Sequence, residues 1–243
     1  MKCGSLFAGI GGFDLAAQRV GWTTVWHSEV DLYTCAVFAQ HFPASRNVGD
    51  VTRWEPNVER DAVDIIFGGF PCQPVSLAGK QRAQQDDRWL WPQFARVVRV
   101  LRPKYVLVEN VPGLLVRGLG DVLGDLATMW YDAEWSVIPA TAVGAPHRRD
   151  RVWLLAYPVG LRGESGFFDG REFGEAWGKT PMGQFGGMDG PTAWLQAIPA
   201  LCGTDDGLPA PVDRLRCLGN SIVPEIPEMV FRQIQEHEKR VTL

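Results

Sequence analysis

The residues of this chain best suited to chemistry lie in Phe67-Gly68-Gly69-Phe70-Pro71-Cys72-Gln73-Pro74-Val75-Ser76. The apolar run Ile65-Ile66-Phe67 reads as a buried strand of the parallel-sheet kind. It stops at two glycines, which tolerate backbone angles that other residues avoid. Pro71 and Pro74 then bracket Cys72, fixing φ and removing two backbone donors. Such a turn would hold a thiol, a strong nucleophile near neutral pH, at the mouth of a sheet. A lone cysteine is more often a small buried hydrophobe, and only the glycine and proline frame argues otherwise. The zinc-deaminase pattern Pro-Cys-x-x-Cys is excluded, because Val75 stands where the second cysteine belongs.

A second candidate is Glu109. The run Tyr105-Val106-Leu107-Val108 reads as a buried strand that ends at Glu109-Asn110-Val111-Pro112. Parallel strands gather their C-terminal ends on one edge, so Cys72 and Glu109 are expected in one crevice. The alternative is an acid that merely caps the next helix. A third group is Pro146-His147-Arg148-Arg149-Asp150-Arg151, the densest positive cluster in the chain. It could pair with a phosphate or a base carbonyl, or form ion pairs with Asp150.

The elements that must position these groups alternate. Residues 3–9 read as a strand that runs into Gly9-Ile10-Gly11-Gly12-Phe13 and a helix over 14–21. Strand, glycine turn and helix are the parts of a nucleotide-type cofactor site, although Gly-x-Gly-Gly is not the full dinucleotide fingerprint. Residues 23–28 read as a strand ending at Glu29-Val30-Asp31, and a helix over 32–41 follows. A short strand over 47–52 ends near Asp50. Acids at successive strand ends after a glycine turn point to a small-molecule site, although either could be a cap. The polar stretch 77–87 follows Cys72 as a loop or lid. The pattern predicts a helix over 88–101, with Leu90, Phe94, Val97, Val98 and Leu101 inward and Arg96, Arg99 and Arg102 on a solvated side. It also predicts a helix over 119–131 and strands over 134–138 and 151–156. Ser221 is a candidate N-cap for a last helix over 225–239.

Composition bounds the rest. The 243 residues are 46% hydrophobic and 21% charged, as in a globular protein with a real core. No apolar run reaches the ~18 residues of a membrane span, and no secretory signal is evident. Five scattered cysteines fit a reducing cytoplasm, and metal-ligand spacing is absent. The net charge of −4 does not advertise a nucleic-acid binder, so phosphate contacts would need local patches. From about Pro158 to Ala210 periodicity is lost and acids outnumber bases, which marks an insert. Its aromatics Phe167, Phe168, Phe173, Trp177, Phe185 and Trp194 could stack on bases, but a satellite core is the favoured reading.

The series resembles the C5-cytosine DNA methyltransferases over most of the chain. The first motif of that family is similar to residues 6–13, its nucleophile motif to residues 70–76, and its Glu-Asn-Val to residues 109–111. Its Gln-x-Arg-x-Arg is similar to His147-x-Arg149-x-Arg151, with His in the Gln position, and its C-terminal motif to residues 219–223. Val30 stands where many relatives carry Trp, and no good match to the Arg-rich recognition motif is found.

The resemblance implies an α/β fold, a doubly wound, mostly parallel seven-stranded sheet of the class I methyltransferase kind. It divides the chain into a catalytic part (1–157), a short target-recognition insert (158–210) and a returning segment (211–243). It implies methyl transfer from S-adenosyl-L-methionine to C5 of cytosine through a Cys72–C6 adduct, on a base flipped out of double-stranded DNA. Glu109 would hydrogen-bond the base, and Arg149 and Arg151 would hold it. The cofactor would lie against Phe7, Gly9, Gly11, Gly12, Glu29, Val30, Asp50, Val51, Pro71, Asn220, Ser221 and Val223. Phe7 would pack on adenine, Glu29 would take the ribose, Asp50 the adenine amine, and Asn220 and Val223 the methionine part. A monomer in the cytoplasm of a bacterial or phage-infected cell, with no metal and no membrane, is expected. Methylation of RNA, or a silent DNA- or cofactor-binding regulator, are the alternatives.

Overall fold

A computed structural model describes residues 1–71, 89–145, 147–161, 166–168 and 220–241. Cys72, the 77–87 loop and nearly all of the acidic insert lie outside the described residues, as do the aromatics Phe173, Trp177, Phe185 and Trp194.

Seven strands form one sheet: β1 (Lys2–Leu6), β2 (Thr23–Ser28), β3 (Arg46–Asn47), β4 (Ile65–Gly68), β5 (Tyr105–Asn110), β6 (Tyr131–Pro139) and β7 (Asp150–Pro158). Their spatial order is β3-β2-β1-β4-β5-β7-β6. The first five are parallel to one another, and β7 runs antiparallel to both its neighbours. The helices are α1 (Gly12–Arg19), α2 (Leu32–His41), α3 (Val58–Asp61), α4 (Trp91–Leu101), α5 (Leu114–Arg117), α6 (Leu119–Thr128) and α7 (Glu225–Val241). The α/β doubly wound expectation holds.

The two faces of the sheet carry separate cores. On one, Ile66, Val106, Val108, Val152 and Leu154 meet Trp91, Phe94, Val98 of α4 and Val122, Leu126 of α6. On the other, Ile65, Phe67, Leu107, Trp153 and Leu155 meet Phe13, Ala16, Ala17 of α1 and Ile226, Val230, Phe231, Ile234 of α7. Strands buried on both faces explain the unbroken apolar runs of β4 and β5. Each large side chain so buried contributes on the order of 1.5–3 kcal/mol. Phe167 is part of the second core, packed against Tyr157 and Tyr105, so at this position the core reading is correct.

Several expectations need correction. The strand placed at 47–52 is only Arg46–Asn47. Beyond it, Asn47 and Asp50 turn their side chains onto the amides of Gly49 and Thr52, which converts the chain to turns. The helix over 119–131 stops at Thr128, and Trp130 takes a left-handed φ of 62° before Tyr131 enters β6. Arg96 is not on a solvated side: its guanidinium donates to the carbonyls of Val51 and Trp54. Ser221 does not cap α7, which begins four residues later; its hydroxyl donates instead to the carbonyl of Ile222.

One buried carboxyl ties the glycine turn to the sheet. Asp14, in the first turn of α1, accepts from Ser5 of β1 at 3.0 Å and Thr24 of β2 at 2.7 Å, and is 1% exposed. Burial pushes its pKa up to about 7, against the pull of the two hydroxyls. In the unfolded chain the group would titrate near 3.8. The folded state therefore binds the proton more tightly, and this contribution is full below that value and lost as pH rises toward 7. Asp14→Asn should flatten the pH dependence of urea-unfolding stability between about pH 4 and 7. A slope equal to that of the parent chain would show that Asp14 does not titrate there.

Candidate active site

The C-terminal ends of β1, β2, β4 and β5 open into one cavity of about 490 Å³. After β1 the chain passes Phe7, whose φ of 55° is left-handed, and then Ala8, Gly9 and Ile10 before entering α1. Left-handed geometry is costly in a non-glycine residue and persists where the surroundings impose it. After β2 comes Glu29. One carboxylate oxygen accepts from the amide of Gly9 at 2.8 Å, and the other from the amides of Val30 and Asp31 at 2.7 and 2.9 Å. A carboxylate with two oxygens has about four acceptor positions, so room remains for a hydroxyl donor.

Gly69, Phe70 and Pro71 follow β4 and line the same cavity as Glu109 and Asn110. The Asn110 amide donates to the carbonyl of Phe70 at 3.1 Å and accepts from the amide of Val111. This pins the chain that leads to Cys72 against the end of β5. Glu109 caps no helix; α5 starts after Gly113. Its carboxyl lies largely shielded against Arg151, with Nε at 2.9 Å from Oε1. Burial raises its pKa, and the positive charges of Arg151 and Arg149 oppose the rise. Among the described residues nothing donates to Oε2, which lies where only a glycine fits: a Cβ on Gly69 would come within 2.7 Å of it.

The arginine cluster divides. Arg148 pairs with Asp150 at 3.0 Å on the surface, Arg151 goes to Glu109, and Arg149 donates to the carbonyl of Ser221 at 2.9 Å. Glu109 is opposite Trp153 in the β5–β7 ladder, and Arg151 is two residues before Trp153. The period of two places both side chains on one face, within reach of each other.

Of the residues expected from sequence, Phe7, Gly9, Gly12, Glu29, Pro71, Glu109, Arg149, Arg151, Asn220 and Ser221 line the cavity. Gly11 and Val223 line a neighbouring one. Val30 is 65% exposed, and Asp50 and Val51 are outside the described lining. Asp50 is held by Thr52 and lies near Arg53, which lower its pKa, while Val51 is buried in the core. Phe13, Thr34, Asn110 and Ile222 line the cavity without having been singled out. Asn110, Phe13 and Ile222 stood inside the stretches that carry the family resemblance; Thr34 looks like an ordinary helix residue.

A profile of the C-5 cytosine-specific DNA methylase family matches residues 1–171. The chain belongs to that family. It is 36% identical over 158 residues to the type II methyltransferase M.HgiCII of Herpetosiphon aurantiacus, covering 62% of this chain and 36% of that protein. It is 34% identical over 157 residues to M.HhaI of Haemophilus parahaemolyticus, covering 63% and 47%. The chain thus aligns to less than half the length of either. Among solved structures, it is similar to a DNA modification methyltransferase encoded in an Escherichia coli prophage. That likeness has a TM-score of 0.56 and 28% identity, covering 66% of this chain and 47% of that one. A Dnmt2 from Spodoptera frugiperda shares the fold at a TM-score of 0.57 and 24% identity, covering 67% and 51%.

Within this C5-methylase chain, Gly69→Ala should cost about 1–3 kcal/mol in urea unfolding, because the added methyl must displace a carboxyl held by Arg151. Gly124→Ala is the control. It lies inside α6 with nothing within 4 Å of the added methyl, and it should gain roughly 0.5–1 kcal/mol. Equal effects at the two sites would remove the argument for close approach at Gly69.

Proposed function

We propose that this chain transfers a methyl group from S-adenosyl-L-methionine to C5 of cytosine in double-stranded DNA. The observation that carries the reading is the partly buried Glu109–Arg151 pair, set in one cavity with the glycine turn, Glu29 and Pro71. The cavity volume suits a ligand of nucleoside size, since small-molecule sites typically run from about 300 to 1,000 Å³. Apolar Phe7, Phe13 and Ile222 beside the carboxylate of Glu29 fit an adenosine: flat surface for the base and an acceptor for ribose hydroxyls. Val30 is assigned to a face of the adenine and Asp50 to its amine on the resemblance alone. The cofactor, when bound, supplies an electrophilic methyl on a sulfonium.

The chain's residues would do the rest. Pro71 lines the cavity and is bonded directly to Cys72, which we assign as the nucleophile. The thiolate forms a bond to C6 of cytosine as the C5–C6 double bond opens toward C4 and N3. Glu109, its pKa raised by burial, donates a proton or hydrogen bond to N3 and so stabilises that charge. Arg151 fixes the carboxyl by holding Oε1. C5, now electron-rich, would take the methyl as the methyl–sulfur bond breaks and its electron pair stays on sulfur as a neutral thioether. Loss of the C5 proton to a base and departure of the thiolate restore the aromatic ring. A base stacked in a duplex cannot reach such a cavity, so the target must be flipped out, at a cost of a few kcal/mol.

We assign residues 1–157 and 211–243 to the catalytic unit and 158–210 to target recognition, in a monomer inside a bacterial cell. RNA as substrate is the second reading, distinguished by assay. Tritiated methyl from labelled cofactor should appear in duplex DNA and not in transfer RNA offered in parallel, and Cys72→Ser should abolish it while cofactor affinity stays within a few-fold. Label in transfer RNA alone would overturn the DNA assignment, and full activity in the serine variant would overturn the nucleophile. Glu29→Ala should weaken cofactor binding by about tenfold or more, the usual order for losing charged hydrogen bonds. An unchanged dissociation constant by calorimetry would remove Glu29 from the ribose site.

A further inference from the structure

Residues 220–222 form a wall of the cavity, although they arrive from the far end of the chain. Their seat is close. A Cβ on Gly12 would lie 2.7 Å from Cγ1 of Ile222 and 3.2 Å from the Ser221 hydroxyl oxygen. Among the described residues this segment pairs with no strand; Ile222 and Val223 pack against the second core just before α7. A polar anchor of this segment is Arg149, whose guanidinium donates to the Ser221 carbonyl across 72 residues of sequence separation.

Arg149 itself is fixed at its base. Its φ of 35° is left-handed, and β7 begins one residue later. The carbonyl of Arg148 accepts from the amide of Ala140 at 2.7 Å, closing the β6–β7 connection. The guanidinium is half-buried and feels the charges of Arg151 and Glu109, so it stands between the carboxyl pair and the C-terminal wall. A side chain in this place could contact the reacting base, as Arg151 does through Glu109. One of its partners is the Ser221 carbonyl, on the C-terminal wall.

We infer that Arg149 is a positioning residue for the cofactor wall: by holding the Ser221 carbonyl it seats residues 220–222 against the glycine turn and links that wall to the Glu109–Arg151 pair. The inference rests on the cavity being the cofactor site. A planar guanidinium suits the task, because its charge persists when partly desolvated and its donors have fixed directions. Arginine in the base-binding cluster then acts on cofactor affinity, an effect that its position beside Arg151 would not suggest. Arg151, bonded to Glu109, acts on the chemical step.

The experiment takes the full chain, its Arg149→Ala, Arg149→Lys and Arg151→Ala variants, and two measurements. The first is the dissociation constant for S-adenosyl-L-methionine by calorimetry. The second, with no ligand present, is hydrogen exchange at the amide of Ile226, which donates to the carbonyl of Val223 at the start of α7. Arg149→Ala should raise the dissociation constant tenfold or more and speed that exchange by a similar factor. Arg151→Ala should leave both within threefold while lowering kcat. If Arg149→Ala fails to fold, Arg149→Lys, which keeps the charge and loses the fork of donors, should change both measurements in the same direction. Weaker binding with unchanged exchange would assign Arg149 to charge attraction and overturn the positioning role, as would no change in either. Should the parent chain bind no S-adenosyl-L-methionine, the cofactor reading fails, while the exchange comparison still decides whether Arg149 holds the segment.

Discussion

A carboxyl on β5 and a guanidinium on β7 share a partly buried ion pair, and the site depends on it. Glu109 and Arg151 come from strands that run in opposite directions, so the last residues of one meet the first residues of the other. Taking both charges from water is costly, and the attraction repays this only with good geometry. The pair is therefore weak evidence for stability and better evidence for a task. What it achieves is a carboxyl held by one oxygen, with the other at the surface of a cavity and protonated more readily than in water. A pyrimidine nitrogen needs such a group during attack at its neighbouring carbon.

Around that pair, backbone does most of the work. Glu29 gathers three amides from the glycine turn and the end of β2, and Asn110 holds the carbonyl of Phe70. Asp14 bolts the first helix to β1 and β2 from beneath. Each is a polar side chain spent on loop geometry at the open edge of a sheet whose interior is apolar. Loops that approach a ligand closely cannot be held by bulky packing, so hydrogen bonds to backbone replace it. Gly69 shows the same constraint at atomic scale, since a single added methyl would collide with the Glu109 carboxyl.

The match to the family stops at residue 171, and the relatives are more than twice as long as the aligned part. The catalytic half of such a protein is a parallel sheet whose spacing tolerates little change. Recognition of DNA sequence relies on loops and inserts, which vary freely. Acids outnumber bases between residues 158 and 210, so that stretch supplies no electrostatic pull toward DNA.

By itself the sequence determined the local elements. Apolar runs beside glycine or proline set β4 and β5 to within two residues, because strands buried on both faces admit little else. The acids at strand ends and the glycine turn were legible for the same reason, and with them Glu29 and Glu109. Direction was not legible. Nothing in the residues of β7 says that it runs against β5, although the resemblance implied a sheet that is only mostly parallel. The ten residues between β6 and β7 are too few for a crossover, so the pair must be a hairpin, which requires knowing first that the two strands are neighbours. That topology alone brings arginines from the start of a strand to an edge otherwise built from strand ends. The seating of residues 220–222 was equally hidden, because a guanidinium and a carbonyl 72 residues apart leave no periodic trace, and only packing of α7 beside α1 brings them together.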